Sequence, residues 1–242
     1  MITTDDYIKF VSNPILPAEN KDEDLWFLFK DKMILIKSDK EKIQIPRFND
    51  VKEIIDGLEI KYNLGKLMNI QCFCGEINSA VEVSGKFKFI ALREVTAIID
   101  KEYAAVAGKA AQIIHFHKVS KYCGICGGKN EFVKSEFAMK CKECGYIVYP
   151  KVCPAIIVGI TKGDKILLAN NKNFPKGLHS VIAGFVDVNE TLEECVKREI
   201  LEEVNIKVKN IINLKKSAKA RKKENCFLVE GPRMFFEIPG DR

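Results

Sequence analysis

The stretch Gly184-Phe185-Val186-Asp187-Val188-Asn189-Glu190, followed by Arg198-Glu199-Ile200-Leu201-Glu202-Glu203, decides how the rest of the chain is read. It sets a glycine, a glutamate six residues on, and an Arg-Glu-x-x-Glu-Glu run at helical spacing. Carboxylates grouped this way are hard oxygen ligands of the kind that hold Mg²⁺ or Mn²⁺, ions suited to cleaving a diphosphate. The competing reading is a solvated helix face, which charge runs usually are. Helical geometry argues against it. At 100° per residue from Leu192, the apolar arc of Cys195, Val196 and Ile200 takes in Glu199 near ~340° and Glu203 near ~20°, with Glu202 beside it at ~280°. Lys197, Arg198 and Glu194 take the opposite side. Carboxylates turned toward a core are costly unless a cation meets them, and a metal is the simplest cation to supply.

Just upstream, Cys123-x2-Cys126 and Cys141-x2-Cys144 are separated by fourteen residues, the spacing of a zinc ribbon. Two such turns close a tetrahedron of thiolates. Four protein ligands leave no open position, so this zinc is expected to be structural. A pair of disulfides is the alternative. The N-terminal Met1-Ile2-Thr3-Thr4-Asp5-Asp6 has neither the basic nor the apolar region of a secretion signal. A cytoplasmic location, where thiols stay reduced, is therefore expected. Cys72, Cys74, Cys153, Cys195 and Cys226 form no further knuckle and read as buried small hydrophobes. His115 and His117 read as packing residues rather than spare ligands.

The box resembles that of the Nudix hydrolases, G-x5-E-x7-R-E-U-x-E-E-x-G-U with U aliphatic. Gly184, Glu190, Arg198, Glu199, Ile200, Glu202, Glu203 and Ile206 fall in register. Asn205 stands where the box has glycine, and Asn189 where the loop usually has one. Both positions want a left-handed backbone, which asparagine tolerates best after glycine. A ribbon followed by this box, with Ala91-Leu92-Arg93-Glu94, Glu136-Phe137-Ala138-Met139, Tyr149-Pro150 and Ser180-Val181-Ile182-Ala183, is similar to the bacterial NADH pyrophosphatase family, also called NAD-capped RNA hydrolases. The resemblance covers about residues 20 to 210.

It implies hydrolysis of the NAD(H) diphosphate to nicotinamide mononucleotide and AMP, and removal of NAD caps from RNA. By the same resemblance, the Ala183 carbonyl with Glu199, Glu202 and Glu203 would hold Mg²⁺ or Mn²⁺. Arg198 and Glu190 would form an orienting ion pair. Phe185 would stack on the nicotinamide, and Arg93, Glu136 and Tyr149 would touch substrate, some of them across a homodimer interface. Read without the family, Phe185 and Tyr149 fit core packing equally well.

The chain of 242 residues is long enough for two domains and a small metal module. No apolar run reaches a membrane span. The expected class is α+β: a mixed-sheet N-terminal Nudix-like domain over 1–119, a zinc ribbon over 120–150, and a Nudix α/β/α sandwich over 151–242, incomplete at its end. Strands are expected within Leu25–Ile36 and Cys72–Leu92, with turns at Gly65 and Gly85. A helix is expected over Thr96–Phe116, two strands over Val152–Ala169 about a turn at Lys162-Gly163-Asp164, and another strand over Leu178–Val186.

After about Asn210 the resemblance ends. The Trp- and Pro-rich pocket segment of the family is missing, since Trp26 is the only tryptophan. In its place Lys215, Lys216, Lys219, Arg221, Lys222 and Lys223 carry six positive charges, equal to the whole formal net of +6. Such a cluster suits RNA or a solvated tail. A frameshift, truncation or divergence is the expected origin, and Glu224, Glu230 and Glu237 occupy no recognisable setting. Two function classes stay open: an active pyrophosphatase, and a weak or inactive remnant that binds zinc and nucleotide or RNA.

Overall fold

The computed structural model describes residues 10–15, 19–39, 42–58, 60–78, 83, 85–133, 135–162, 164–170, 172, 175–205 and 226–229. The chain divides into two compact units, 1–151 and 152–242. The first carries β1 (Phe10–Ser12), β2 (Leu25–Lys30), β3 (Met33–Asp39), β4 (Lys42–Gln44), α1 (Phe48–Ile55), β5 (Ile60–Leu67), β6 (Ile70–Glu76), β7 (Phe87–Ala91), α2 (Leu92–Thr96) and α3 (Lys101–Val119). The ribbon strands β8 (Asn130–Phe132), β9 (Met139–Cys141) and β10 (Ile147–Val148) belong to the same unit.

Strands β1 to β7 form one sheet in the order β1-β5-β6-β2-β3-β4, with β7 also on β3. It is mixed, as expected: β2 and β6 run parallel, in register from Leu25–Cys72 to Phe29–Glu76, and the other pairings are antiparallel. Alternation along β2 explains why it lies at the centre. Leu25, Phe27 and Phe29 pack with Val106, Ala110 and Ile114 of α3. Trp26 and Leu28 turn to the other face, against Val51 and Ile55 of α1. Successive side chains of a strand point to opposite faces, so a continuous apolar run marks a strand covered on both sides. Trp26 also stacks on Phe73, with ring centroids 4.8 Å apart.

Two local expectations are corrected. Gly65 does not mark a turn. It sits inside β5 at a bulge, with φ at 124°, and a Cβ there would lie 1.9 Å from the Val11 carbonyl oxygen. The turn is made by Met68 and Asn69, both at positive φ (47° and 67°), which closes the β5–β6 hairpin without a glycine. The expected helix over Thr96–Phe116 begins instead at Lys101. Thr96 ends the short α2, and Ala97–Asp100 turn the chain before α3 starts.

The inner side of the ribbon leans on this core. Phe132 and Phe137 pack against the α3-side cluster, and Phe132 lies 4.2 Å from the Tyr62 ring. Lys109 sits between aromatics, its Nζ 4.7 Å from the centre of Phe137 and 5.3 Å from that of Phe10. Tyr62 hydrogen-bonds His117 Nδ1, which gives that histidine a packing role.

The second unit carries β11 (Ala155–Lys162), β12 (Lys165–Ile166), β13 (Ile182–Phe185), α4 (Leu192–Val204) and β14 (Cys226–Val229). Strand β11 pairs with β12 through the expected hairpin, and also with β13 and β14, all antiparallel. Cys195, Val196 and Ile200 of α4 cover Ile156, Val158 and Ile182. Among the described residues of this unit α4 is the only helix, so the second helical layer of the expected sandwich is not among them. The basic run from Lys215 to Lys223, and Glu224, Glu230 and Glu237, lie outside the described residues. Among those described, no helix is long and apolar enough to cross a membrane.

Phe27 is fully buried at the centre of the first unit. Phe27→Ala is expected to lower its stability by about 3–5 kcal/mol, read as a shift in the urea midpoint.

Candidate active site and metal centre

Helix α4 is started by a capping box that the sequence reading did not use: Thr191 and Glu194, spaced S/T-x-x-E. Thr191 Oγ1 accepts from the Glu194 amide at 3.2 Å, and Glu194 accepts from the Thr191 amide at 2.9 Å. The helix ends at Asn205, with φ at 54° and its amide bonded to the Leu201 carbonyl. In the loop before the helix, Asn189 has φ at 64°. Both asparagines therefore adopt the left-handed backbone expected of them. Ile206, the last position of the box, lies outside the described residues.

Arg198 is the hub between loop and helix. Its Nε and Nη2 bind both oxygens of Glu190 at 2.9 Å. Nη1 donates to Glu199 at 2.8 Å and Glu202 at 3.2 Å, and Nη2 also donates to the Phe185 carbonyl at 2.9 Å. All five guanidinium N–H groups are thereby used. Glu190 closes the loop in turn, accepting from the Asp187 amide at 2.9 Å. The Arg198 guanidinium holds the Glu190 carboxyl down at about 2, and Glu190 raises Arg198 further.

The glycine of the box has a steric cause. A Cβ on Gly184 would lie 1.9 Å from Cδ of Glu199, so the Glu199 carboxyl occupies the space that a side chain would fill. Its side chain is 13% exposed, while that of Glu202 is 57% exposed and Glu203 is exposed. The wheel thus placed Glu199 correctly and set Glu202 and Glu203 too deep. They stand on the last turn of α4, where Leu201 is also exposed. Among the described residues Glu203 makes no hydrogen bond or ion pair. Ala183 faces out from β13 opposite Ile157, and Phe185 is 69% exposed, which rules out core packing for that ring. Cys195 is buried beneath the loop and donates to the Phe185 carbonyl.

Glu199 and Glu202 are hard oxygen donors that converge on one cationic nitrogen, Arg198 Nη1, which supplies the positive charge that the largely buried Glu199 carboxylate needs.

The cysteines form a second centre. Sγ of Cys123 and Cys144 lie 3.6 Å apart, those of Cys126 and Cys141 3.5 Å, and all four fall within 4.8 Å of one another. Tetrahedral zinc with bonds of about 2.3 Å sets its sulfurs about 3.8 Å apart, so the cluster has the size for that ion. Among the described residues no other group of three or more His, Cys, Asp or Glu is as tight. Each knuckle repeats one closure: the Gly127 amide donates to the Cys123 carbonyl at 3.0 Å and the Gly145 amide to the Cys141 carbonyl at 3.1 Å. The Ile125 amide also donates to Cys123 Sγ at 3.4 Å and the Cys144 amide to Cys141 Sγ at 3.5 Å. Gly127 and Gly145, at φ 73° and 75°, close the two turns and were not singled out in the sequence. Backbone amides lower the Cys123 thiol, and they pull Cys141 down to about 7. Cys144 is also pulled down by the Tyr146 amide, yet the other sulfurs push it up to about 12. Four thiolates this close need a cation among them. Of the remaining cysteines, Cys72, Cys74 and Cys195 are buried as expected, whereas Cys153 is exposed. The side chain of Cys226 lies outside the described residues.

In the first unit, Tyr149 OH donates to Glu136 Oε1 at 3.3 Å, and that carboxylate raises the phenol. Tyr149 is 53% exposed, so this ring is not core packing either. Arg93 is exposed on α2, on the rim of a cavity of about 840 Å³ that Phe29, Lys32, Ile114 and His115 also line.

Residues 23–115 match the NADH pyrophosphatase-like rudimentary NUDIX domain, 120–149 the NADH pyrophosphatase zinc ribbon domain, and 152–235 the NUDIX domain. The last match runs past Asn210 and includes β14. The NAD-capped RNA hydrolase NudC of Haemophilus influenzae strain PittEE is 38% identical over 135 residues, 54% of this chain and 51% of that protein. The NudC proteins of Photobacterium profundum and Escherichia coli O1:K1 / APEC are 44% identical over 123 residues and 47% over 106. These cover 51% and 44% of this chain, and 46% and 41% of theirs. The chain thus spans about half the length of the curated relatives it matches, or less.

Two outcomes follow from the geometry. Gly184→Ala is expected to weaken Mn²⁺ binding by about tenfold or more, read by electron paramagnetic resonance, with zinc content unchanged. The Glu190 carboxyl is lowered from 4.5 to about 2, so its stabilising effect is full above the unfolded value and is lost as pH falls through about 2. Unfolding midpoints measured across that window should lose part of their pH dependence in Glu190→Gln.

Proposed function

We propose, from the premise that this chain carries the domain set of the NADH pyrophosphatase family, that it hydrolyses the diphosphate of NAD(H) with Mg²⁺ or Mn²⁺. The observation that carries the proposal is Arg198 drawing Glu199 and Glu202 together above Gly184. The Ala183 carbonyl, Glu199, Glu202 and Glu203 would hold the ions. Bound there, such ions neutralise phosphate oxygens and lower the pKa of water.

The reaction forms one P–O bond to water and breaks the bridging P–O bond, giving nicotinamide mononucleotide and AMP. The chain's own part is positioning. Arg198 and Glu190 fix the loop that ends β13, which holds the backbone at Ala183 and Phe185 in place. The outward Phe185 ring offers the nicotinamide a stacking face. Among the described residues Glu203 has no partner to give up before it takes a ligand or a proton. Arg93, Glu136 and Tyr149 are the further substrate contacts of this reading, and the exposed Tyr149 and Phe185 rings are surfaces that a second copy of the chain in a homodimer would cover. The relatives' printed name extends the substrate to NAD-capped RNA, on which the same cut leaves a 5′-monophosphate.

Release of nicotinamide mononucleotide from NADH with Mg²⁺ or Mn²⁺ tests the reading. Glu203→Gln should lower turnover by at least about a hundredfold with zinc retained. Undiminished turnover would remove the glutamate set from the mechanism. No turnover by zinc-loaded wild type would favour the binding-only remnant.

A further inference from the structure

The side of the ribbon turned away from the core has a composition that packing does not explain. Phe132, Met139 and Cys141 point inward, so alternation sends their neighbours out. Lys129, Lys140 and Lys142 are all exposed. The pairing of Asn130 with Cys141 sets Lys129 opposite Lys142, and the Lys142 amide donates to the Lys129 carbonyl at 3.1 Å. Tyr122 bridges to Lys129 on the other side and is 70% exposed. Tyr122, Lys129 and Lys142 thus form one row across the ribbon. In the next row Lys140 stands between Glu131 and Ile147.

Like charges directly opposite one another destabilise a sheet. Glu131 is the one carboxylate in these two rows, and it meets Lys142 at 3.3 Å. Among the described residues Lys129 and Lys140 make no ion pair, which leaves two of the three lysine charges in excess beside an open aromatic ring. Cations in a row with an exposed tyrosine form the pattern that grips a single-stranded polynucleotide, with phosphates on the lysines and a base on the ring. An acidic polypeptide would satisfy the lysines but leave Tyr122 with nothing to stack on.

We infer that this face of the zinc ribbon binds single-stranded RNA. The inference rests on the proposed hydrolysis, whose capped-RNA substrate carries a single strand, and adds to it a surface that holds such a strand.

The test is fluorescence anisotropy of a short 3′-labelled single-stranded RNA bearing a 5′-monophosphate, so that no cap takes part. Wild type should bind it. Lys129→Glu/Lys140→Glu/Lys142→Glu should weaken binding by about tenfold or more and flatten the salt dependence by about 2 in log–log slope. Tyr122→Ala should weaken it about fivefold or more. Zinc content and NADH turnover should be unchanged in both. A fold-independent check is acetylation of the wild type, in which RNA should protect these three lysines.

Absence of RNA binding by a wild type that turns over NADH would overturn the inference and leave the proposed function standing. RNA binding without NADH turnover would do the reverse. Equal affinity for polyglutamate, insensitive to Tyr122→Ala, would mark an acidic-protein site and also overturn it.

Discussion

One guanidinium organises the Nudix unit. Arg198 spends five N–H donors on Glu190, Glu199, Glu202 and the Phe185 carbonyl, and those acceptors come from the loop, the helix and the strand that precedes them. Arginine suits this position because its donors form a rigid planar fork; a lysine would offer a point charge and could not set four groups at fixed angles. The contact also explains the glycine. Glu199 reaches Arg198 by crossing the space over Gly184, so a single missing Cβ and a single fork of nitrogens together set where the helix meets the sheet.

Residues whose identity is fixed by one local demand could be read directly. Asn189 and Asn205 replace glycines and still take the left-handed backbone, because that region admits short polar side chains. The cysteine spacing foretold two equivalent knuckles, and β2 could be read as a strand because its apolar run has to be covered on both faces. What escaped reading depends on long-range placement. A wheel orders the faces of a helix but not how far the sheet extends along it, so Glu202 and Glu203 looked deeper than they are. Gly65 resembles a turn residue from its neighbours alone, yet its conformation is imposed by β1 passing over it, while Met68 and Asn69 make the turn without either common signal. The exposed Cys153 differs from Cys72 and Cys74 only in what lies around it.

The ribbon joins the N-terminal sheet through aromatic contacts rather than through a second core. Phe132 and Phe137 reach the α3-side cluster, and Lys109 bridges Phe10 and Phe137. A module of three two- or three-residue strands buries too little apolar surface to hold itself together, so its order comes from four sulfurs on one side and borrowed packing on the other.

The parallel pairing of β2 with β6 has a consequence for synthesis. Residues 25–30 cannot gain their central neighbour until residues 70–76 have been made, and α3, which covers the face bearing Phe27, comes later still. Contacts so distant in sequence close slowly. A nascent chain leaving the ribosome therefore presents Leu25-Trp26-Phe27-Leu28-Phe29 uncovered for tens of residues of elongation, and that hydrophobic run is where a chaperone would meet it first.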